Sequence, residues 1–228
     1  MNIRDLIRGT NIRYAAELSP NLTEPTGFRK LDDILPGRGW PKYGLTEVFT
    51  KDSDTGSMRL FLPTLASLSQ QEGWVVLNNP PYVPYAPALR SCGVNLARFL
   101  VIDLKNTFPH SNEEMLWAYE ETLHFKDCFV ALLWLSDIKF SQLRRLQLAA
   151  EAGRTWGILF RPFHSINQIS PSPLRLKVST HATYEKSSRA MEHPDIGCEV
   201  TVVRARGNHV GKSCYILGDD SDSNSEGG

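Results

Sequence analysis

Short apolar segments alternate with helical patterns through the middle of the chain. Five segments rich in apolar residues are predicted strands, at residues 45–49, 74–77, 99–102, 129–135 and 156–160. Between them, apolar residues recur three or four positions apart, as at Phe61, Leu65 and Leu68, which predicts helices. Strands separated by helices predict an α/β fold with a mostly parallel sheet and right-handed crossovers.

The pattern changes in the last third of the chain. Residues 174–180, 199–204 and 213–217 alternate apolar and polar side chains with no helix between them, which predicts antiparallel strands at the C-terminal edge. The sequence therefore predicts three parts. They are an N-terminal helical arm and linker (1–25), an α/β domain (26–217) and a disordered acidic tail (218–228).

Composition supports a single globular domain. The chain has 228 residues, of which 41% are hydrophobic and 22% charged, and this excludes a mostly disordered protein. The longest apolar run, residues 129–135, is about a third of what a bilayer crossing needs. No apolar stretch typical of a secretory signal follows Met1. We expect a cytoplasmic protein without a membrane partner.

The four cysteines give no sign of a metal centre or a disulfide framework. Cys92, Cys128, Cys198 and Cys214 are widely spaced and form no C-x-x-C pair. We expect reduced thiols, at least two of them in core strands, and no metal. A metal site or a disulfide is the minor alternative.

The formal net charge is zero, but the charges are segregated. Residues 135–215 carry 12 basic and 6 acidic side chains, and the tail carries 4 acidic ones. One hypothesis is that this basic part contacts DNA or a partner through two patches; ordinary solvated charge is the alternative. The patch residues are Arg204, Arg206 and Lys212 in one, and Arg144 and Arg145 in the other.

The loop after the first predicted strand is where a phosphate-binding P-loop would stand. That motif needs glycines that wrap the phosphates, a lysine, and a hydroxyl residue for Mg²⁺. In residues 51–59, Lys51 replaces the first glycine, Ser57 the lysine and Met58 the hydroxyl residue, so that Gly56 alone fits.

The strand that would carry a metal-binding acid lacks it as well. Residues 129–135 run into Ser136, and Asp137 comes two or three positions late. The sequence therefore predicts a vestigial site without bound cofactor and a protein that is not an enzyme. A divergent ATPase with a rearranged site using Lys51 or Arg59 is the alternative. A second P-loop-like stretch, residues 207–213, has one residue too few between its glycines and is predicted to be a hairpin loop.

Two segments resemble the RecA family. Residues 26–48 are similar to the stretch that precedes the P-loop there, T-G…L-D…L-G-G-G-x-P…G…E-I, and residues 93–100 resemble its G-V-D…N-L-L stretch. Together with the alternation of strands and helices, the resemblance spans about residues 26–217. It implies a RecA-like core, in which late loops face DNA and an N-terminal helix packs on a neighbouring subunit.

A closer resemblance is to the ImuA family. It rests on residues 35–41, 80–89, 144–153 and 157–162, which occur in the same order. ImuA proteins are RecA-like accessory factors of SOS-induced translesion DNA synthesis. The resemblance implies an ImuB-like polymerase homologue and RecA as partners, and a nucleoid-associated location after induction.

The SulA family of cell-division inhibitors is the alternative. SulA proteins share the later region, including a Gly-x-x-x-Arg-Pro motif like Gly157, Arg161 and Pro162, and they cap the division protein FtsZ. They lack a counterpart of residues 26–41, which favours the ImuA interpretation.

Candidate protein interfaces are an exposed tryptophan and the N-terminal arm. Trp117 falls on the side of its predicted helix opposite the apolar stripe, and an exposed tryptophan is a typical interface anchor. Ile3, Leu6 and Ile7 form the apolar side of the arm, which could hold a partner or a second copy of the chain. Arg161 is expected either to pair with a carboxylate near the end of the sheet or to lack a structural role.

Overall fold

The computed structural model describes residues 23–51, 56–104, 112–183 and 195–217. Its ten strands are listed here in chain order. They are β1 (Thr23–Glu24), β2 (Trp40–Pro41), β3 (Gly44–Thr50), β4 (Trp74–Asn78), β5 (Phe99–Ile102), β6 (Cys128–Trp134), β7 (Trp156–Pro162), β8 (Leu174–Thr183), β9 (Asp195–Arg204) and β10 (Ser213–Ile216). The first two strands pair as a small antiparallel ribbon, and the other eight form one sheet in the order β10-β9-β8-β3-β7-β6-β4-β5.

Within these described ranges, five α-helices lie between the strands. They are α1 (Arg29–Asp32), α2 (Leu62–Ser69), α3 (Ala86–Ser91), α4 (Asn112–His124) and α5 (Phe140–Gly153). Short 3₁₀ helices cover Pro36–Arg38, Gly56–Phe61, Leu96–Arg98 and Phe163–Ser165. The mixed α/β architecture, with a mostly parallel sheet flanked by helices, confirms that part of the predicted fold class.

The sheet separates two hydrophobic cores, because side chains alternate between its faces. One core joins Val48 and Phe160 to Leu31 of α1, Leu65 of α2 and the buried Trp40. The second core joins neighbouring positions on the same strands to the apolar stripes of α4 and α5. Leu116, Tyr119 and Leu123, three and four positions apart on α4, are fully buried there, as an amphipathic helix requires.

Two expectations about the elements need refinement. Antiparallel strands were expected from residue 174: β8 does pair antiparallel with β9, and β9 with β10, but the other edge of β8 pairs parallel with β3. In the helix expected from Phe61, Leu65 and Leu68, Phe61 instead ends the 3₁₀ helix Gly56–Phe61, and α2 starts at Leu62, beside Pro63. Proline favours the first turn of a helix because it has no amide hydrogen to donate.

Several predicted features fall outside the described residues. Residues 1–22 hold most of the predicted arm and linker, and residues 218–228 are the predicted tail, so the three-part organisation stays a prediction. In the parts of the chain that the structure describes, no helix is long and apolar enough to cross a membrane.

Candidate functional site

The carboxyl ends of the central strands meet at one edge of the sheet. β3, β4, β6 and β7 are mutually parallel through their pairing partners, so the segments that follow them all emerge there. In open α/β sheets this carboxyl edge is where ligands and partners bind. It is therefore the first place to look for a functional site.

The loop predicted to be a vestigial P-loop lies at this edge, and its described part does not have a phosphate-binding form. Lys51 is exposed at the end of β3, Ser57 is buried, and Met58 is half-buried against the core. Gly56 opens a 3₁₀ helix, so the described part offers no α-helix N-terminus at the position where phosphates would sit. Residues 52–55 lie outside the described residues.

An apolar cleft of about 420 Å³ occupies the same edge. On its floor, Trp134 at the end of β6 stacks on Phe160, with ring centroids 4.6 Å apart and planes 4° from parallel. The lining residues are Met58, Leu77, Pro80, Pro81, Tyr82, Val83, Pro84, Tyr85 and Trp134. A methionine and a tryptophan thus give this edge an apolar lining.

One wall of the cleft, residues 80–85, is here called the aromatic lip. Tyr82, Val83 and Tyr85 are 60%, 85% and 72% exposed. Asn79 before it has φ +51°, a left-handed conformation that asparagine adopts more readily than most residues. Three prolines restrict the backbone of the lip, so ordering it against a partner costs little entropy.

A buried charge cluster braces the sheet beside this edge. Arg161 Nη1 of β7 donates a hydrogen bond to Glu47 Oε2 of β3 at 2.6 Å, and both side chains are completely buried. Arg175 Nε of β8 lies 3.1 Å from Glu47 Oε1, an ion pair without hydrogen-bond alignment. Burial lowers the pKa of Arg175, which the Glu47 carboxylate partly offsets. The expected pairing of Arg161 with a carboxylate is confirmed.

Gly157 in the same strand has a packing role. A Cβ built on it would lie 2.6 Å from Leu45 Cδ2 and 2.8 Å from the Tyr119 hydroxyl oxygen. The Tyr119 hydroxyl donates to the Ala131 carbonyl oxygen at 3.1 Å, which ties α4 to β6. The Gly-x-x-x-Arg-Pro motif is thus accounted for by helix packing at its glycine and by charge pairing at its arginine.

The predicted basic residues lie in two separate places. Arg204 ends β9, and Arg206 and Lys212 are exposed in the β9–β10 hairpin; this places the second P-loop-like stretch in a hairpin loop, as expected. Arg144 is exposed on α5, while the neighbouring Arg145 pairs with Glu120 of α4 at 2.8 Å. DNA contact by either patch stays a prediction.

The predicted interface residues are only partly visible. Trp117 is 62% exposed on α4, as its place opposite the apolar stripe indicated. Ile3, Leu6 and Ile7 lie outside the described residues.

The four cysteines form no disulfide with one another. Cys128 and Cys198 are buried in β6 and β9, as expected, and Cys92 is exposed. Burial raises the pKa of the Cys128 thiol to about 12 and that of Cys214 to about 11, so both are poor nucleophiles at neutral pH. Among the described residues, no group of three or more histidine, cysteine, aspartate or glutamate side chains could hold a metal ion.

The sequence-based prediction did not include the exposed aromatic lip or the charge pairing of Glu47 and Arg175. The lip was visible as a run of prolines and tyrosines, a composition typical of exposed, rigid contact segments. Glu47 had a weaker signal: it is a charged residue in the middle of an otherwise buried strand, which indicates a paired charge.

The chain is similar to curated proteins named "Cell division inhibitor SulA". Those from Yersinia pestis (strain Pestoides F), Yersinia pseudotuberculosis serotype O:1b (strain IP 31758) and Yersinia pestis bv. Antiqua (strain Angola) are each 28% identical over 123 residues. Each alignment covers 54% of this chain and 70% of the relative. No protein-family model matches the chain.

A solved structure is also similar. The crystal structure of SulA from Pseudomonas aeruginosa is 23% identical, covers 51% of this chain and 97% of that chain, and superposes with a TM-score of 0.42. A TM-score of this size is too low to establish a shared fold.

The curated relatives overturn the expected function. A translesion-synthesis accessory factor of ImuA type was expected, but the relatives carry the name of a cell-division inhibitor, so that expectation is wrong and the SulA alternative is favoured. The ImuB-like and RecA partners belonged to the ImuA interpretation and have no support in the relatives' names.

Proposed function

We propose that this protein is a non-enzymatic inhibitor of cell division that acts by binding FtsZ, in the setting of the SOS response. The observation that carries the proposal is the 28% identity to proteins named cell division inhibitor SulA, over 70% of their length. FtsZ enters as the partner that the SulA resemblance implies.

The chemistry of the carboxyl edge supports a binding protein rather than an enzyme. A phosphoryl-transfer site needs a lysine, a hydroxyl residue and an acid around the phosphates. Here Ser57, Met58 and Trp134 stand at those places. Stacking of Trp134 on Phe160 and burial of Met58 give an apolar floor, which suits protein contacts better than phosphates.

The aromatic lip and the cleft floor are the proposed FtsZ-binding surface. Tyrosine and tryptophan dominate the binding energy of protein interfaces because they bury large areas with few rotatable bonds. Tyr82, Val83 and Tyr85 expose such area on a proline-restricted segment. The neighbouring cleft of about 420 Å³ can receive a side chain of the partner.

We further propose that the core is of the RecA type. Six parallel strands lie side by side, with β3 between β8 and β7, and the antiparallel pairs β8–β9 and β9–β10 extend one edge. Late antiparallel strands beside a parallel sheet are what the RecA resemblance implies. On this proposal the nucleotide site of an ancestral ATPase has become a protein-binding cleft.

Nucleotide should not stabilise the protein. Addition of ATP and Mg²⁺ is expected to leave the melting temperature unchanged, because a ligand that does not bind the folded state cannot shift it. Differential scanning fluorimetry at millimolar ATP measures this. A rise of several degrees that Lys51→Ala abolishes would instead support the divergent ATPase.

Division arrest in cells tests the proposed function. Induced expression of the full chain in its bacterial host, without DNA damage, is expected to give long undivided cells, and co-expressed extra FtsZ should restore division. Normal division at a protein level detectable by immunoblot would contradict the proposal.

A further inference from the structure

Residues 163–173, here called the braced loop, connect β7 to β8. β7 ends at the carboxyl edge, whereas β8 is parallel to β3 and begins opposite Thr46, nearer the amino edge. The loop must therefore return along the sheet, and its only regular element is the 3₁₀ helix Phe163–Ser165. Its polar groups need partners from elsewhere, because buried backbone groups are costly when unpaired.

Three arginines supply those partners. Arg161 Nη2 donates to Gln168 Oε1 at 2.5 Å, and Arg175 Nη2 donates to the Ile166 carbonyl oxygen at 3.1 Å. Arg204 Nη1 donates to the carbonyl oxygen of Ser170. Since Arg161 and Arg175 are themselves paired with Glu47, the loop is fixed to the interior of the sheet.

The braced loop presents an apolar side chain to solvent. Ile169 is 79% exposed, between the exposed Gln168 and the buried Ser170. A single exposed isoleucine is common on protein surfaces. Here, however, its backbone is already held in place, so a partner that buries Ile169 need not order the loop first.

The exposed charge along the braced loop and β8 is basic. Residues 163–183 contain no aspartate or glutamate, and Lys177 is exposed, whereas Arg175 is buried beside Glu47. The Lys177 Nζ lies 5.5 Å from the centre of the Phe163 ring at the start of the loop. A partner surface that covers Ile169 is therefore complementary if it is acidic.

We propose that the braced loop, through Ile169 and Lys177, binds an acidic protein surface with an apolar depression, and that this surface belongs to FtsZ. The inference rests on the proposed function and adds a second contact area to the aromatic lip. A protein partner is favoured over nucleic acid because Arg161 and Arg175 are buried and Arg204 is bonded to the loop. Phosphate backbones require several accessible cations.

Binding of purified FtsZ to the full chain tests the inference. Ile169→Ser is expected to weaken binding about tenfold, the effect typical of a buried apolar anchor. Lys177→Glu is expected to weaken binding as well and to make the affinity depend less on salt between 50 and 200 mM NaCl. In this range, charges separated by more than about 10 Å are largely screened from one another. The matched control is Phe125→Ser with Lys126→Glu, an exposed apolar–lysine pair that precedes β6 at the amino edge.

The outcomes separate the two proposals. Wild-type binding that both loop variants weaken, with the control unchanged, supports the inference. Wild-type binding that neither variant weakens overturns the inference but leaves the proposed function intact. No binding by the wild type overturns both. Binding of a fluorescein-labelled oligonucleotide is measured with the same variants. If they lose oligonucleotide binding but keep FtsZ binding, the loop binds nucleic acid and the inference of a protein partner is wrong.

Discussion

A Glu47→Gln variant is expected to melt on the order of 10 °C below the natural protein, at about 2–4 °C per kcal/mol for a chain of this size. The substitution keeps the shape of the side chain but removes the negative charge that faces Arg161 and Arg175. Breaking a buried ion pair by removing one partner typically costs about 3–5 kcal/mol, because the remaining charge is left uncompensated. Here the positive charges of two arginines, Arg161 and Arg175, would lose their counter-charge.

Thermal unfolding followed by circular dichroism measures this loss. Glu199→Gln is the matched control: Glu199 is an exposed strand residue, and its substitution is expected to change stability by about 0.5 kcal/mol or less. Replacing Glu47, Arg161 and Arg175 together by apolar residues should recover part of the loss, since buried ion triads are often no more stable than apolar ones. A Glu47→Gln melting curve that matches the natural protein would contradict the role given to the cluster.

The double variant Tyr82→Ala, Tyr85→Ala is expected to bind FtsZ about 100-fold more weakly. Truncating an interface hot spot costs about 2 kcal/mol or more, and each 1.4 kcal/mol is tenfold in affinity. Its melting temperature should stay nearly unchanged, because both side chains are mostly exposed in the free protein.

Isothermal titration of FtsZ with each variant separates binding from folding. Tyr43→Ala is the control, because Tyr43 is an exposed tyrosine just before β3, at the amino edge of the sheet. Equal affinities for the double variant and the natural protein would remove the aromatic lip from the proposed interface.

The strands and helices could be predicted from the sequence because their signals are local. Residues 99–102 coincide with β5, and residues 129–135 differ from β6 by one position at each end. The direction of β8 was not predictable in the same way. It depends on how residues 163–173 travel, and that path is set by arginines whose partner, Glu47, is more than 100 positions earlier in the sequence.

The mismatch between residues 51–59 and a P-loop could also be recognised, since that motif depends on residue types at fixed spacing. The composition of the aromatic lip indicated exposure, but its place beside the cleft could not be predicted, because that depends on the left-handed conformation of Asn79 and on the direction in which β4 ends. The charge cluster was half predictable. Arg161 indicated a carboxylate partner, but the sequence does not show that this carboxylate is Glu47 on the neighbouring strand β3.

The error in the expected function has a structural cause. Residues 26–41 favoured ImuA over SulA, yet in the structure much of this segment serves the core. Trp40 is buried and stacks on Phe61 and Trp156, with centroids 4.9 and 5.4 Å away. A segment that packs against the sheet indicates how the chain folds, and it carries little information about which partner the opposite edge binds.

Sedimentation of FtsZ polymers formed with GTP, titrated with the purified full chain, tests the central claim most directly. If the protein is a division inhibitor that binds FtsZ, the polymer in the pellet should fall as the protein is added and nearly vanish near an equimolar ratio. An unchanged pellet at several-fold molar excess would contradict the claim.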